Sequence, residues 1–302
     1  MTGTCAAVTT PDTIWSFCPN LGADYLFIVL FALTTIAHIA QAITTRKGYC
    51  WVIITSGLAQ FLAYVFRLLS VKNPTNNGLY AAWFVLILVA PLFTNAFVYM
   101  VMGRMVWNYV KNAKIYGITA WRFGLYFVIL DVVALLVQIL GAASATGTHQ
   151  SQSAVLRALH IYMVGVGIQQ FFICVFLVYA IKFHATTIQQ NRQGHSTPQS
   201  AYMLLYAIYA VIILITVRII FRLVEYSSGL HTSIPNHEAY QYCLDSVPMF
   251  IALVILNVYH PGRVMAGPAS DIPSRKTRKN KAFRTKGQLA ETHGNEDGLP
   301  MV

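Results

Sequence analysis

Long apolar runs alternate with short polar breaks along most of this chain, and the pattern predicts its architecture. Seven runs have the length of a membrane-crossing helix: Tyr25–Ile43, Cys50–Leu69, Leu79–Met102, Trp121–Gly141, Leu159–Ile181, Met203–Val224 and Tyr242–Tyr259. A hydrocarbon core about 30 Å thick takes ~20 apolar residues in a helix. The expected fold is therefore an all-α integral membrane protein, a bundle of seven transmembrane helices. Composition agrees, since 56% of the residues are hydrophobic and only 10% are charged, against ~25% in soluble domains.

The basic residues predict orientation. An odd number of spans puts the termini on opposite sides. On the side of the N-terminus the loops supply only Lys72 and Arg157, and the loop with Glu225, His231, His237 and Glu238 has no Lys or Arg. The other side carries Arg46, Lys47, Arg104, Lys111, Lys114, Arg122, Lys182, Arg192 and Arg263, then a dense run. Cytoplasmic loops are the basic ones, so the N-terminus is expected outside and the C-terminus in the cytosol. The net charge of +11 belongs to this topology, and no nucleic-acid partner is expected.

Three segments follow: an extracytoplasmic N-terminal tail (1–23), a seven-helix membrane domain (24–260) and a basic cytosolic tail (261–302). No charged and apolar leader precedes Tyr25, so no cleavable signal peptide is expected. Cys5 and Cys18 fall on the oxidising side, and the spacing leaves open both a disulfide and two separate thiols. The last segment has too little apolar surface to offset its ordering entropy and reads as disordered. Its cluster Arg275, Lys276, Arg278, Lys279, Lys281, Arg284 and Lys286 either binds anionic lipid headgroups or only reinforces topology.

Polar residues inside the spans carry the functional information, because a charge near the bilayer centre costs about 2.5–3.5 kcal/mol on insertion scales. Arg218, Arg222 and Glu225 share one face of the sixth span. Asp245 sits in the first turn of the seventh, Arg67 near the end of the second, below Tyr64 and Gln60. Asp131 and Gln138 share a face of the fourth span, and Gln169 and Gln170 lie at mid-depth in the fifth. This arithmetic gathers Arg67, Gln138, Arg218, Arg222, Glu225, Glu238 and Asp245 in the outer half, above a floor of Asp131 and glutamines. Two readings follow: an outward-opening polar cavity for an amphipathic headgroup, or interhelical pairs that fix packing. Pro91 and Pro248 leave the carbonyls of Ile87 and Leu244 without their helical donors.

Catalytic templates are missing. There is no Gly-x-Ser-x-Gly elbow, Walker loop or His-Glu-x-x-His pair, and histidines such as His38, His160, His184, His195, His231, His237 and His260 are dispersed. No metal site, cofactor or enzymatic activity is expected. His237–Glu238 reads as a helix-entry cap, and Asp131 as the candidate proton carrier.

Several segments resemble the fungal RTA1-like, or lipid-translocating exporter, family. The most specific is Val217 to Glu225, with its Arg-x-x-Phe-Arg-x-x-Glu run, followed by Gly229, His237-Glu238, Tyr240, Asp245 and His260-Pro261-Gly262. Ala90-Pro91, Tyr99 and Gly103-Arg104 match its third span. Phe127, Asp131-Val132, Gln138 and Gly141 match its fourth, and Gly165, Gly167 and Gln169 its fifth. In the second span Gln60 stands where the family usually has an acid and Ala63 where it has a glycine, while Tyr64 and Arg67 are kept. Arg67 thus needs another partner, with Asp131 and Asp245 the candidates. The resemblance implies a seven-helix fungal membrane protein, in the plasma membrane, that exports or translocates amphipathic lipids or lipid-like toxins: sphingoid bases, phospholipids or porphyrins. It also implies a contribution to toxin resistance. The alternative is a seven-helix lipid-sensing receptor that acts on transport indirectly.

Overall fold

The computed structural model describes residues 5–145, 151–227, 237–267, 270–273 and 277. Seven helices long and apolar enough to cross a membrane make up the first of two compact units, Met1–Ala266. They are α1 (Leu21–Thr45), α2 (Trp51–Lys72), α3 (Asn77–Tyr109), α4 (Ala120–Ala145), α5 (Gln152–Arg192), α6 (Gln199–Ser227) and α7. The last is built in three consecutive pieces: Glu238–Gln241, the π-helical Tyr242–Ser246, and Val247–Val258. The chain is an integral membrane protein. Of the second unit, Gly267–Val302, the described part is a turn in which Ser270 Oγ donates to Gly267 O at 2.7 Å. The tail's basic cluster, Gly229 and His231 lie outside the described residues.

Local chemistry accounts for where the helices begin. Asn20 Oδ1 accepts from Gly22 N and Ala23 N at the head of α1, and Asn76 Oδ1 does the same for Gly78 N and Leu79 N at α3. Ser151 Oγ accepts from Ala154 N at α5. Each satisfies donors that a first turn leaves unpaired. Helices α3 and α5 run well past the expected ends, Met102 and Ile181, to 33 and 41 residues. An apolar run measures only the membrane-crossing part of a helix, and α5 continues through polar sequence until Gly194 and Pro198. Between α3 and α4 lies a small hairpin that the apolar pattern does not indicate. Strand β1 (Lys114–Ile115) pairs antiparallel with β2 (Ile118–Thr119) across Tyr116-Gly117, both at positive φ, the geometry of a tight primed turn.

Consecutive helices pack side by side and α7 returns to α1, while α3, between α2 and α4, also touches α5 and α6. The outward faces are apolar, as on α1, where Leu26, Val29, Leu33, Ile36 and Ile43 are exposed. Such a surface is what a bilayer solvates. The tightest crossing joins α4 to α5. A Cβ built on Gly141 would lie 2.4 Å from Tyr162 N, and one on Gly165 would lie 2.9 Å from Ala134 O. Small residues let membrane helices approach this closely. Gly141→Ala should cost about 1–3 kcal/mol of overpacking, because backbone cannot step aside as a side chain would. Gly167→Ala, whose Cβ meets nothing within 4 Å, should be neutral. A thermal unfolding series on the two purified variants checks this, and equal midpoints would refute it.

Candidate functional site

Most of the buried charges collect near the end of the bundle where α1 begins, and they form two groups joined through α7. In the first, Arg67 of α2 is fully buried and pairs with two acids. Its Nη1 lies 2.5 Å from Asp24 Oδ1 of α1, and its Nη2 lies 2.7 Å from Glu238 Oε1 of α7. Arg67 Nη1 also donates to Tyr242 OH at 2.6 Å. The Tyr242 hydroxyl lies within hydrogen-bond reach of both Asp24 Oδ1 (2.8 Å) and Glu238 Oε1 (3.0 Å). Aromatic rings close the guanidinium in: Trp15, Trp83 and Tyr242 have centroids 5.3, 5.4 and 5.1 Å from its carbon, a cation–π arrangement.

Trp15 comes from the segment before α1, which packs onto the bundle. Cys5 and Cys18 are disulfide-bonded, with Cα atoms 5.9 Å apart. Trp15 is buried against Trp83 and Tyr80, its Nε1 reaches Ser70 O at 3.4 Å, and Ile14 N donates to Pro74 O. Asn20 N donates to Glu238 Oε2 at 2.8 Å. What the apolar pattern marks only as a tail before the first span is a cover over the charged layer.

In the second group Asp245 of α7 is clamped by both arginines of α6, Arg218 through Nε and Arg222 through Nη2. Arg222 Nη1 also holds Glu225 Oε2 at 2.8 Å. All four side chains are at most 7% exposed. The spacing of Arg218, Arg222 and Glu225 on one helix face is what allows this. Arg218 also bonds to backbone, its Nη2 donating to Ile87 O at 3.0 Å. That carbonyl is the one Pro91 leaves without a helical donor, so an arginine of α6 repairs the break in α3. On α7 the π-helical turn before Pro248 places Tyr242, Asp245 and Ser246 all at buried positions. Ser246 Oγ bonds Tyr64 OH, and Tyr64 stacks with Phe27 at 5.1 Å, which stacks with Tyr242 at 5.1 Å. One face of α7 thus ties α1 and α2 to α6.

The other expected site residues lie elsewhere. Asp131 is fully buried, and its Oδ2 accepts from Asn95 Nδ2 and Tyr99 OH of α3, both at 3.0 Å. Among the described residues no Lys or Arg pairs with it, and its Oδ1 has no hydrogen-bond partner. A small, mainly apolar cavity of about 10 Å³ between Asn95, Val98, Tyr99, Ile173, Phe176 and Ile212 adjoins its two donors. Gln138 is separate again, donating from Nε2 to Gln169 Oε1 at 3.0 Å across the α4–α5 crossing. Gln170 reaches Thr216 Oγ1, and Gln60 is buried in α2.

Three expectations change. Arg67 pairs with Asp24 and Glu238 rather than with Asp131 or Asp245. Asp24 escapes the sequence reading because the first apolar run starts at Tyr25, and an acid in a first turn reads as helix-dipole decoration. Depth is the usable signal, since the start of α1 and the end of α2 share one end of the bundle. Glu238 is more than an entry cap, because its carboxylate lies on Arg67. The charged side chains also do not line an open cavity in this conformation: those around Arg67 are 0 to 13% exposed and pair with one another.

A family model described as RTA1 like protein matches residues 53–268. The chain is 41% identical over 271 residues to "Probable lipid transporter atnI" of Emericella nidulans, covering 87% of this chain and 70% of that protein. It is 22% identical over 300 residues to "Sphingoid long-chain base transporter RSB1" of Saccharomyces cerevisiae, covering 89% and 78%. It is 28% identical over 274 residues to "Protein RTA1" of the same species, covering 82% and 84%. No solved structure matches the chain. With a family match over most of its membrane-embedded length, and with the arginine, glutamate and aspartate positions of the sixth and seventh spans that carried the resemblance meeting near one end of the bundle, the chain belongs to the RTA1-like family.

Proposed function

We propose that this protein is a membrane transporter of amphipathic lipids, with a cationic amphiphile such as a sphingoid base as the preferred cargo. Transport agrees with the names of two relatives and is favoured over the lipid-sensing receptor for that reason. Preference for a cation rests on one observation, the charge count of the buried layer. Four acids, Asp24, Glu225, Glu238 and Asp245, face three arginines, Arg67, Arg218 and Arg222. The layer therefore accommodates one further positive charge more readily than a negative one. A lipid ammonium would compete with an arginine for a carboxylate, and α7 would move as its bonds to α1, α2 and α6 are exchanged.

The reading extends to the rest of the molecule. The N-terminus faces out, the covered end opens outward, and the bundle sits in the plasma membrane. No step requires covalent catalysis, a cofactor or a metal. Asp131, a buried acid without an ionic partner among the described residues, takes up and releases the proton that couples transport to a gradient.

The test is flux in proteoliposomes of the purified protein. Fluorescent sphingoid base, phospholipid and porphyrin are compared for wild type and Glu225→Gln, with stability measured in parallel. Flux of the sphingoid base well above the other two, reduced in Glu225→Gln at retained stability, is expected. Binding without flux under any gradient would return the receptor reading. Faster porphyrin flux would reverse the cation preference.

A further inference from the structure

The opposite end of the bundle holds a second feature, unrelated to the charged layer. Between the last turns of α5 and the first turns of α6 lies an open cleft of about 470 Å³, lined by His184, Ile188, Asn191, Arg192, Tyr202 and Tyr206. Its depth in the membrane follows from sequence. The apolar run of α5 ends at Ile181 and that of α6 begins at Met203, so the cleft straddles the level where hydrocarbon gives way to headgroups. Tyrosines at this level are the usual interfacial residues.

The lining suits an anion. Helix α5, the loop after it and α6 up to Val224 contain no Asp or Glu, and Arg192 makes no ion pair among the described residues. Asn191 is held in place from both sides: its Oδ1 accepts from Thr197 N at 2.6 Å and its Nδ2 donates to Tyr202 OH at 3.1 Å. The Tyr202 oxygen is thus occupied as an acceptor, which leaves its O–H to donate outward. His184 stands among Tyr202, Tyr206 and Tyr209, with ring centroids 5.8, 5.8 and 6.1 Å away. Directly toward the bilayer the surface turns apolar, with Ile181, Ile188, Met203 and Tyr206 exposed.

A guanidinium, a phenol O–H and an imidazole above an apolar strip match a phosphate headgroup with its acyl chains. We infer that this cleft is a binding site for an anionic phospholipid of the leaflet on this side, with the phosphate on Arg192 and Tyr202 and an acyl chain along Ile188 and Tyr206. The site is separate from the transport route, and its lipid is a resident ligand rather than cargo.

The test uses the full-length protein in detergent, titrated with phosphatidylserine, phosphatidylcholine or inorganic phosphate, with bound lipid counted by native mass spectrometry. Wild type should retain phosphatidylserine in preference to phosphatidylcholine. Arg192→Gln should lower that retention about tenfold, the loss of one charge-assisted contact, and Tyr202→Phe should lower it less. Both positions are accessible and outside the core, so an unchanged thermal midpoint in the variants would exclude misfolding. The basic tail is present in every sample and contributes equally. Equal retention by wild type and Arg192→Gln would overturn the assignment, as would displacement of the lipid by inorganic phosphate at matched concentration.

Discussion

Replacing Asp245 by Asn should destabilise the protein by about 3–5 kcal/mol, the cost of leaving buried charge without its partner. Asp245 is the counter-ion of both Arg218 and Arg222, and all three are buried. An amide cannot neutralise either guanidinium. Arg218 cannot swing away to find water, because its other nitrogen holds the Ile87 carbonyl that Pro91 leaves open. The effect should therefore reach three helices, α3, α6 and α7. Glu225→Gln is the comparison: Arg222 keeps Asp245 and loses only the weaker half of its coordination, so a much smaller loss is expected. Thermal unfolding of both variants by fluorescence-detected size exclusion measures the difference. Equal midpoints would mean that the layer is solvated and that the pairs carry little energy.

Asp131→Asn should do the opposite, abolishing gradient-driven flux while leaving stability within about 1 kcal/mol, the scale of a single net hydrogen bond. The carboxylate accepts two hydrogen bonds, from Asn95 and Tyr99, and an amide oxygen can accept both. No arginine or lysine among the described residues loses a partner. On the proposed coupling role, what disappears is the capacity of this side chain to take up and release a proton. Flux in proteoliposomes with and without a pH gradient, run beside an unfolding curve, separates the two roles. Retained gradient-driven flux would remove Asp131 from coupling, and a collapse in stability would make it a packing residue.

The contrast between these two aspartates shows how far composition and spacing reach. Both are visible in the sequence as costly intramembrane acids. Only contacts between helices distinguish the one that pairs with two arginines from the one that pairs with none among the described residues. Similarly, the i, i+4, i+7 spacing puts Arg218, Arg222 and Glu225 on one face of α6, and Pro91 identifies Ile87 as a carbonyl in need of a donor. That Arg218 is this donor depends on how α6 lies against α3, and no local rule supplies it.

The sequence by itself determined the number of spans, the helical class and the family, because hydrocarbon imposes length and apolarity on each span separately. Helix ends beyond the membrane escaped it, since no such penalty acts there. Tertiary structure decided the pairing: Asp24 and Glu238 on Arg67, Trp15 folded over that pair, and Gln138 and Asp131 outside the charged layer. The reason is physical. Burial constrains each residue one at a time and can be read from a string, whereas charge neutralisation is a relation between residues as much as 171 positions apart, as for Arg67 and Glu238, that only the packed bundle brings into contact.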